Sequence, residues 1–177
     1  SWINLKSNFN SRMITIRKLQ DPDWLAVWAL MEPVIRKGEA YPYDLEMTSD
    51  GAHYMWIELT QEAYVAEDES GSILASYYVK PNQPTLGAHV ANCGYVVSEV
   101  AQGRGIATLM CEHSQQEAVR LGYRAMQFNL VVKTNEVSVY LWKKMGFEIV
   151  GTLPGAFKHA KHGYVDAYIM YKVLVDV

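Results

Sequence analysis

Apolar and polar residues alternate over short runs near both ends of the chain, and this pattern predicts strands. The segment MITIRKL (13–19) alternates and is rich in β-branched residues, as expected for a strand with one buried face. Two later segments, FEIVGTL (147–153) and YVDAYIMYKVL (164–174), predict the last two strands. The stretch GTLPGAFKHAKHGYVD (151–166) is interpreted as a long loop between them because it contains proline and glycine.

Four further apolar segments predict strands in the middle of the chain. EAYVAED (62–68) and SILASYYVK (72–80) are separated by the turn residues ESG and predict a hairpin. HVANCGYVVS (89–98) and AMQFNLVV (125–132) are mostly apolar and predict buried strands. The sheet therefore draws its strands from the whole length of the chain.

Helical spacing of apolar residues separates these strands. A first helix is predicted after Asp21, with a proline in its first turn, and Gly38 ends it. A short helix follows and ends near Leu59, and two longer helices are predicted over 104–121 and 135–145. No internal repeat or low-complexity linker interrupts the pattern, so the sequence predicts one mixed α/β domain.

Composition limits the classes of function. The chain has 177 residues, half of them apolar, which is enough for one packed domain. A net charge of −3 argues against nucleic acid as a main partner, and the longest apolar run, at 24–31, is too short to span a membrane. Cys93 and Cys111 lack metal-site spacing, so we expect no metal and two buried thiols in a cytoplasmic protein.

The first twelve residues differ from the rest of the chain. SWINLKSNFNSR (1–12) has no basic start, apolar centre or cleavage site of the kind that a signal peptide needs. Met13 precedes the first predicted strand and is a natural starting residue. We therefore interpret 1–12 as leader or vector-derived residues and 13–177 as the domain.

The segment SEVAQGRGIATLMCEH (98–113) joins a predicted strand to a predicted helix through Gly103 and Gly105. A glycine-rich turn before a helix exposes backbone N–H groups that can hold a phosphate. The segment lacks the lysine of a nucleotide-triphosphate loop, and Thr108 stands where a dinucleotide fingerprint has its third glycine. By itself the turn leaves two alternatives open, an anion site and a tight strand-to-helix connection.

Two motifs resemble the GNAT superfamily of acyl-CoA-dependent N-acetyltransferases. Residues 102–107, QGRGIA, are similar to its Q/R-x-x-G-x-G/A signature, and TNEVSVYLWKKMGFEIVGTL (134–153) is similar to its second hallmark. The resemblance implies a single-domain α/β fold from residue 13 onward. Its mixed, mostly antiparallel sheet would have about seven strands, splayed between the fourth and fifth, and about four helices.

The resemblance also implies an acetyl-CoA site with no metal. The amides after the glycines would receive the pyrophosphate, and the strand before the turn would pair with the pantetheine arm. Asn135, which could equally cap its own helix, and Trp142 would lie beside the arm. The implied cofactor-binding residues are Tyr95, Val96, Val97, Gln102, Gly103, Arg104, Gly105, Ile106, Ala107, Thr108, Asn135 and Trp142.

Acetyl transfer to an amine needs a proton acceptor, because an alkyl ammonium must first become neutral. In many superfamily members a tyrosine in the second motif protonates the departing thiolate, and Trp142 occupies that position here. Tyr140 is two residues earlier and faces another side of the helix, so it is no simple substitute. We therefore expect water, or no dedicated acid, to serve.

Candidate catalytic and acceptor-binding residues come from strands and one loop. Asn92 and Asn129 interrupt apolar strands, where a buried amide needs partners; they could hold an acceptor or a water, or brace the sheet. The candidate bases are Glu99 at a strand end and Asp44 and Glu46 in the loop after the first helix. The loop EAYPYDLE (39–46) is where the resemblance places the acceptor wall, which makes Tyr41, Tyr43 and Glu46 candidates.

A narrower resemblance concerns the acceptor. Lys80-Pro81-Asn82, the run 128–131 and Val165-Asp166-Ala167 are similar to a branch that acetylates azetidine-2-carboxylate and other proline analogues. This implies a small amine as acceptor, for example an amino acid or a toxic analogue. The alternatives are a protein or peptide N-acetyltransferase and a non-catalytic acyl-CoA sensor. A second copy of the chain is a further candidate partner.

Overall fold

Seven strands form one mixed sheet in the computed structural model, which describes residues 13–176. The predicted leader, 1–12, lies outside the described residues. In spatial order the strands are β1 (Thr15–Lys18), β2 (Glu62–Glu67), β3 (Ile73–Pro81), β4 (Val90–Val97), β5 (Ala125–Val132), β7 (Gly163–Val173) and β6 (Glu148–His159). The predicted fold class is confirmed.

Four α-helices connect the strands, at α1 (Trp24–Lys37), α2 (Ser49–His53), α3 (Ile106–Arg120) and α4 (Glu136–Lys144). The 3₁₀ turn Asp21–Asp23 precedes α1, so the first helical turn is tighter than predicted. Gly38 ends α1 in the left-handed conformation, as its position predicts. A π-helical turn, Tyr54–Glu58, extends α2. Within residues 13–176 no helix is long and apolar enough to cross a membrane.

Every neighbouring pair of strands is antiparallel except β4 and β5. These two run parallel and pair only at Val90–Ala125 and Ala91–Met126, after which they separate. Further along, the register of β5 against β7 shifts between Phe128 and Val131, which bends β5. The sheet is therefore open in its centre, between the carboxyl ends of β4 and β5.

A hydrophobic core covers each face of the sheet. On one face, α3 and α4 pack on sheet residues such as Tyr77 and Met126, with Met110 of α3 in the same core. Both cysteines lie in this core as free, buried thiols. On the other face, α1 and α2 bury Trp56 and Val96. A cavity opens beside the separation of β4 and β5, and it is there that a ligand could enter.

The predicted long loop at 151–166 is wrong. Strands β6 and β7 form a ladder that continues through Lys158–Tyr164 and His159–Gly163, so only residues 160–162 form the tip. The register shifts between Leu153 and Phe157, and this bulge accommodates the proline and glycine that suggested a loop. The tip contacts the end of α1, where the Ala160 amide donates to the Gly38 carbonyl at 3.0 Å.

Packing of α3 on the sheet gives a first prediction. Met110 has no exposed surface, whereas Val119 on the same helix is 44% exposed. We expect Met110→Ala to lower the free energy of unfolding by about 2–5 kcal/mol, because it leaves a cavity in the core. The control Val119→Ala should lower it by about 0.5 kcal/mol or less. Urea unfolding followed by circular dichroism measures both, and equal losses would contradict this account of the core.

Candidate active site

The separation of β4 and β5 forms a cleft of about 310 Å³. Its lining brings together seven of the residues that the sequence analysis singled out. These are Tyr41, Tyr43, Asn92, Tyr95, Asn129, Asn135 and Trp142. They come from the loop after α1, from both separating strands and from α4, so residues distant in sequence meet at one place. The cleft is therefore the candidate active site.

One wall of the cleft is the open edge of β4. The Asn82 amide donates to the Val90 carbonyl and the Ser98 amide to the Leu74 carbonyl, both at 2.8 Å. Because backbone direction alternates along a strand, the even-numbered residues of β4 bond to β3. The N–H and C=O groups of residues 93, 95 and 97 face the cleft instead. Of the predicted segment 95–97, two residues therefore present their backbone to a ligand, and the backbone of residue 96 is paired with β3.

Tyr41 reaches this open edge from the loop after α1. Its hydroxyl donates a hydrogen bond to the Tyr95 carbonyl, and its ring stacks on that of Tyr43 with centroids 5.9 Å apart. Burial raises the pKa of the Tyr41, Tyr43 and Tyr78 hydroxyls above the usual tyrosine range. These phenols therefore remain protonated at neutral pH, where they act as hydrogen-bond donors and not as bases.

Tyr78 is a cleft residue that the sequence analysis missed. Its ring lies across the backbone of its cross-strand partner Gly94, where an added Cβ would be 2.5 Å from Cε1 and 2.8 Å from the hydroxyl. Any larger residue at 94 would displace the ring. The signal was present in the sequence, because a glycine inside a strand often marks a close approach of this kind.

The glycine turn has the geometry of an anion site. Gly103 and Gly105 have φ values of 81° and 75°, and an added Cβ at either would meet nothing within 4 Å. Gly105 is the N-cap of α3 and has no side chain with which to cap the helix. The first helical hydrogen bond runs from the Leu109 amide to the Gly105 carbonyl at 3.1 Å. The amides of residues 106–108 therefore have no acceptor within the helix. The side chains of Gln102 and Arg104 are exposed beside them.

Asn135 and Trp142 line the side of the cleft formed by β5 and α4. The Asn135 side chain accepts a hydrogen bond from the Ser138 amide at 3.3 Å, so it caps α4 while lying at the cleft. Trp142 is buried, with its ring centroid 5.0 Å from that of Tyr95 and 4.8 Å from that of Phe128. Tyr140 is exposed and outside the cleft lining.

Asn92 and Asn129 both line the cleft but differ in burial. Asn92 is buried; its amide donates to the Gln127 carbonyl at 3.0 Å, and its oxygen accepts from the Tyr78 hydroxyl at 3.5 Å. This contact braces the two strands where they separate. Asn129 was expected to be buried and is exposed, in the segment of β5 where the register against β7 shifts. It donates to the Asn82 side chain at 2.7 Å.

The predicted carboxylates lie elsewhere. Glu99 forms an ion pair of 2.7 Å with Lys37 at the end of α1, and Asp44 and Glu46 are exposed on their loop. None of the three lines the cleft, and among the described residues that do, none is Asp, Glu, His, Lys or Arg. The polar lining consists of amides, hydroxyls and backbone groups. No group of three His, Cys, Asp or Glu side chains placed to hold a metal occurs among residues 13–176.

A second cavity, of about 380 Å³, lies between β1, β2 and α3 and is lined by several charged side chains. These charges pair with one another or with neighbours: Arg17 with Asp23 and Arg120 with Glu117, each at 2.7 Å. Its cations are thus already neutralised by protein carboxylates. The cleft, whose backbone groups on β4 lie open, is the better candidate for a ligand site.

Comparison with known proteins finds relatives in both sequence and structure. Residues 16–147 match the model of the acetyltransferase (GNAT) family. The chain is 32% identical to N-acetyltransferase aca1 of Schizosaccharomyces pombe over 151 residues, which are 76% of this chain and 72% of that protein. A GCN5-related N-acetyltransferase from Kribbella flavida has 39% identity and a TM-score of 0.85, covering 90% of this chain and 97% of that one.

A more distant structure shares the fold. A phosphinothricin acetyltransferase from Sinorhizobium meliloti, solved in complex with acetyl-CoA, has 19% identity and a TM-score of 0.80. The match covers 92% of this chain and 89% of that one. At this identity the likeness concerns the fold alone.

The contact of Gly94 with Tyr78 generates a prediction about the cleft wall. Gly94→Ala should lower the free energy of unfolding by about 1–3 kcal/mol, because the added methyl overlaps the tyrosine ring. In a Tyr78→Ala background the same change should cost about 0.5 kcal/mol or less, since the ring is gone. A double-mutant cycle by urea unfolding measures the coupling. Purely additive effects would show that the ring does not restrict residue 94.

Proposed function

The chain belongs to the acetyltransferase (GNAT) family, and we propose on this premise that it transfers the acetyl group of acetyl-CoA to the amine of a small molecule. The observation that carries the proposal is the continuity of two features. The open edge of β4 ends at Val97 and is joined to the glycine turn by the 3₁₀ turn Glu99–Ala101, so one extended ligand with amides followed by a pyrophosphate could follow both. Acetyl-CoA has this chemistry.

We assign the pyrophosphate to the amides of residues 103–108, where the positive φ values of the glycines and the start of α3 favour an anion. The pantetheine arm is assigned to the backbone groups of residues 93, 95 and 97, to which it would add as a strand. Asn135 and Trp142 contact the arm from the opposite side in this assignment. The side chains of Gln102 and Arg104 lie at the exposed mouth of the turn.

We assign the acceptor to the end of the cleft formed by Tyr41, Tyr43, Tyr78, Asn92 and Asn129. A cleft of about 310 Å³ suits a small amine. The similarity of several segments to enzymes acting on azetidine-2-carboxylate and proline analogues supports an amino acid or an analogue as acceptor. Glu46 is exposed outside this end of the cleft and is not assigned to the acceptor.

Acetyl-CoA supplies a thioester whose carbon–sulfur bond breaks as the amine nitrogen forms a bond to the acetyl carbon. The protein must leave the amine neutral and provide a donor to the acetyl oxygen. The backbone N–H of Tyr95, which faces the cleft, is our candidate donor. The Asn92 side chain is our candidate for holding the water that takes the amine proton, because it is the buried amide of the lining. Asn129 orients the acceptor in this scheme.

Glu99 has a different place in the proposal. Its ion pair with Lys37 connects the start of the glycine turn to the end of α1, which carries the acceptor loop. We therefore interpret Glu99 as a positioning residue that acts through this connection. The proton on the departing thiolate comes from solvent, because the indole of Trp142 is not an acid at neutral pH.

The proposed function is tested by following free thiol while the protein is mixed with acetyl-CoA and a panel of acceptors. Azetidine-2-carboxylate, proline, other amino acids, simple amines and peptides with free N-termini make up the panel. Thiol release with the amino acids supports the proposal. Release with peptides alone would instead assign the protein to peptide N-acetylation. Tight binding of CoA without release from any acceptor would favour a sensor.

The pyrophosphate assignment gives a prediction with a matched control. Gly105→Val should weaken acetyl-CoA binding by at least about tenfold, since the side chain projects over the amides that hold the anion. Gly71→Val is the control: Gly71 has φ of 81°, also has open space around it, and lies in the hairpin turn between β2 and β3. Both variants carry similar backbone strain. Calorimetric titration that showed equal affinities for the two would refute the assignment.

A further inference from the structure

The face of the sheet opposite α3, on the acceptor side of the cleft, carries a group of polar side chains on strands that are otherwise mostly apolar. Tyr77, Cys93, Tyr95, Met126 and Phe128 point into the core under α3. Since side chains alternate along a strand, the intervening residues point to the opposite face. Those residues are Tyr78 and Lys80 on β3, Asn92 on β4, and Gln127 with Asn129 on β5.

The amides of this face are joined across the separation of the strands. Gln127 Nε2 donates to Asn129 Oδ1 at 3.0 Å, and Asn129 Nδ2 donates to Asn82 Oδ1 at 2.7 Å. The oxygens of Asn129 and Asn82 are thus both occupied as acceptors. Asn82 Nδ2 has no acceptor among residues 13–176, nor has the second N–H of Asn129. The free N–H groups of the two side chains are therefore available as donors to a ligand beside the cleft.

Lys80 adds a positive charge to the same face. It is the cross-strand partner of Asn92, and its Nζ lies 5.6 Å from the ring centre of Tyr78, which lines the cleft. Among residues 13–176 Lys80 makes no ion pair, and residues 1–12 contain no Asp or Glu that could provide one. An ammonium with no ion-pair partner among residues 13–176, on the same face of the sheet as two amide donors, is suited to a carboxylate.

We propose that Lys80, Asn82 and Asn129 form a subsite for the carboxylate of the acceptor, so that the enzyme selects amino acids over amines lacking an acid group. The inference rests on the proposed function and adds Lys80 and Asn82 to the acceptor site. In this arrangement the carboxylate lies at the mouth of the cleft and the amine points past Asn92 toward the open edge of β4. Lys80 and Asn82 orient the acceptor and take no part in proton transfer.

The test compares two acceptors that differ only in charge, azetidine-2-carboxylate and azetidine-2-carboxamide. We expect Lys80→Met to lower kcat/KM about tenfold for the carboxylate and less than about twofold for the carboxamide. Asn82→Ala should act in the same direction, and Lys80→Arg should restore most of the loss. Because each variant is compared with wild type on the same acceptor, the different amine pKa values of the two compounds cancel.

Lys18→Met is the matched control, since Lys18 is an exposed lysine on β1, at the far edge of the sheet. It removes the same charge and should leave both acceptors unchanged. The KM for acetyl-CoA should be unaffected in every variant. Equal losses on the carboxylate and the carboxamide, or no loss on either, would overturn the proposal.

A binding measurement separates this proposal from the proposed function. If wild type acetylates neither compound, the function fails, and the two compounds are then titrated calorimetrically into the protein saturated with CoA. Preference for the carboxylate that Lys80→Met abolishes supports the subsite on its own. Absence of any preference in wild type overturns it.

Discussion

The structure depends on one constraint: strands β4 and β5 pair at two positions and then separate. Beyond that point the backbone groups of residues 93, 95 and 97 face a cleft in the middle of a sheet. Polar backbone groups in such a place need partners, because leaving them without any costs free energy. The protein itself satisfies one of them, through the hydroxyl of Tyr41. The remaining groups make this edge a site for an added strand, and the proposed site is built on it.

Specific contacts lie on both faces of the sheet where the two strands separate. On the side of α3, the rings of Tyr95, Phe128, Trp142 and Phe147 pack together, with centroids between 4.4 and 5.9 Å for Phe128 and its neighbours. These rings belong to the hydrophobic core on that face. On the opposite face, Asn92 bonds to the Gln127 carbonyl and fixes where the separation begins. The indole of Trp142 thus has a packing role that a smaller ring would fill less completely.

The sequence predicts those parts of the molecule that depend on local chain chemistry. Strand alternation, helical spacing and the helix end at Gly38 place every major element, and two motifs indicate the family. Features that depend on distant contacts were missed. The bulge that accommodates Pro154 and Gly155 lets β6 continue where a loop was predicted. Asn129 is exposed where the register of β5 against β7 shifts, although the apolar neighbours in its strand suggested that it was buried.

The residues of the candidate site divide in the same way, into those that local chain chemistry predicts and those that depend on distant contacts. Asn92, Asn129, Tyr41 and Tyr43 were predicted for the acceptor and do line the cleft. Glu99 was not recognised as a partner of Lys37, because the two residues are 62 positions apart and meet only in the folded chain. Tyr78, Lys80, Asn82 and Gln127 were missed as site residues for a related reason. Their side chains share a face only through the register of three strands.

The two halves of the proposed site differ in the groups that would contact the ligand, which are backbone groups in one half and side chains in the other. The proposed acetyl-CoA contacts come mainly from backbone groups, whose directions are set by strand register and by the positive φ values of two glycines. Such contacts tolerate many side chains, provided that the glycines and the strand separation are kept. The proposed acceptor contacts come from side chains on one face of the sheet, so single substitutions there can change the acceptor without altering the fold. The free charge of Lys80 and the donors of Asn82 and Asn129 are therefore where we expect acceptor selectivity to be determined.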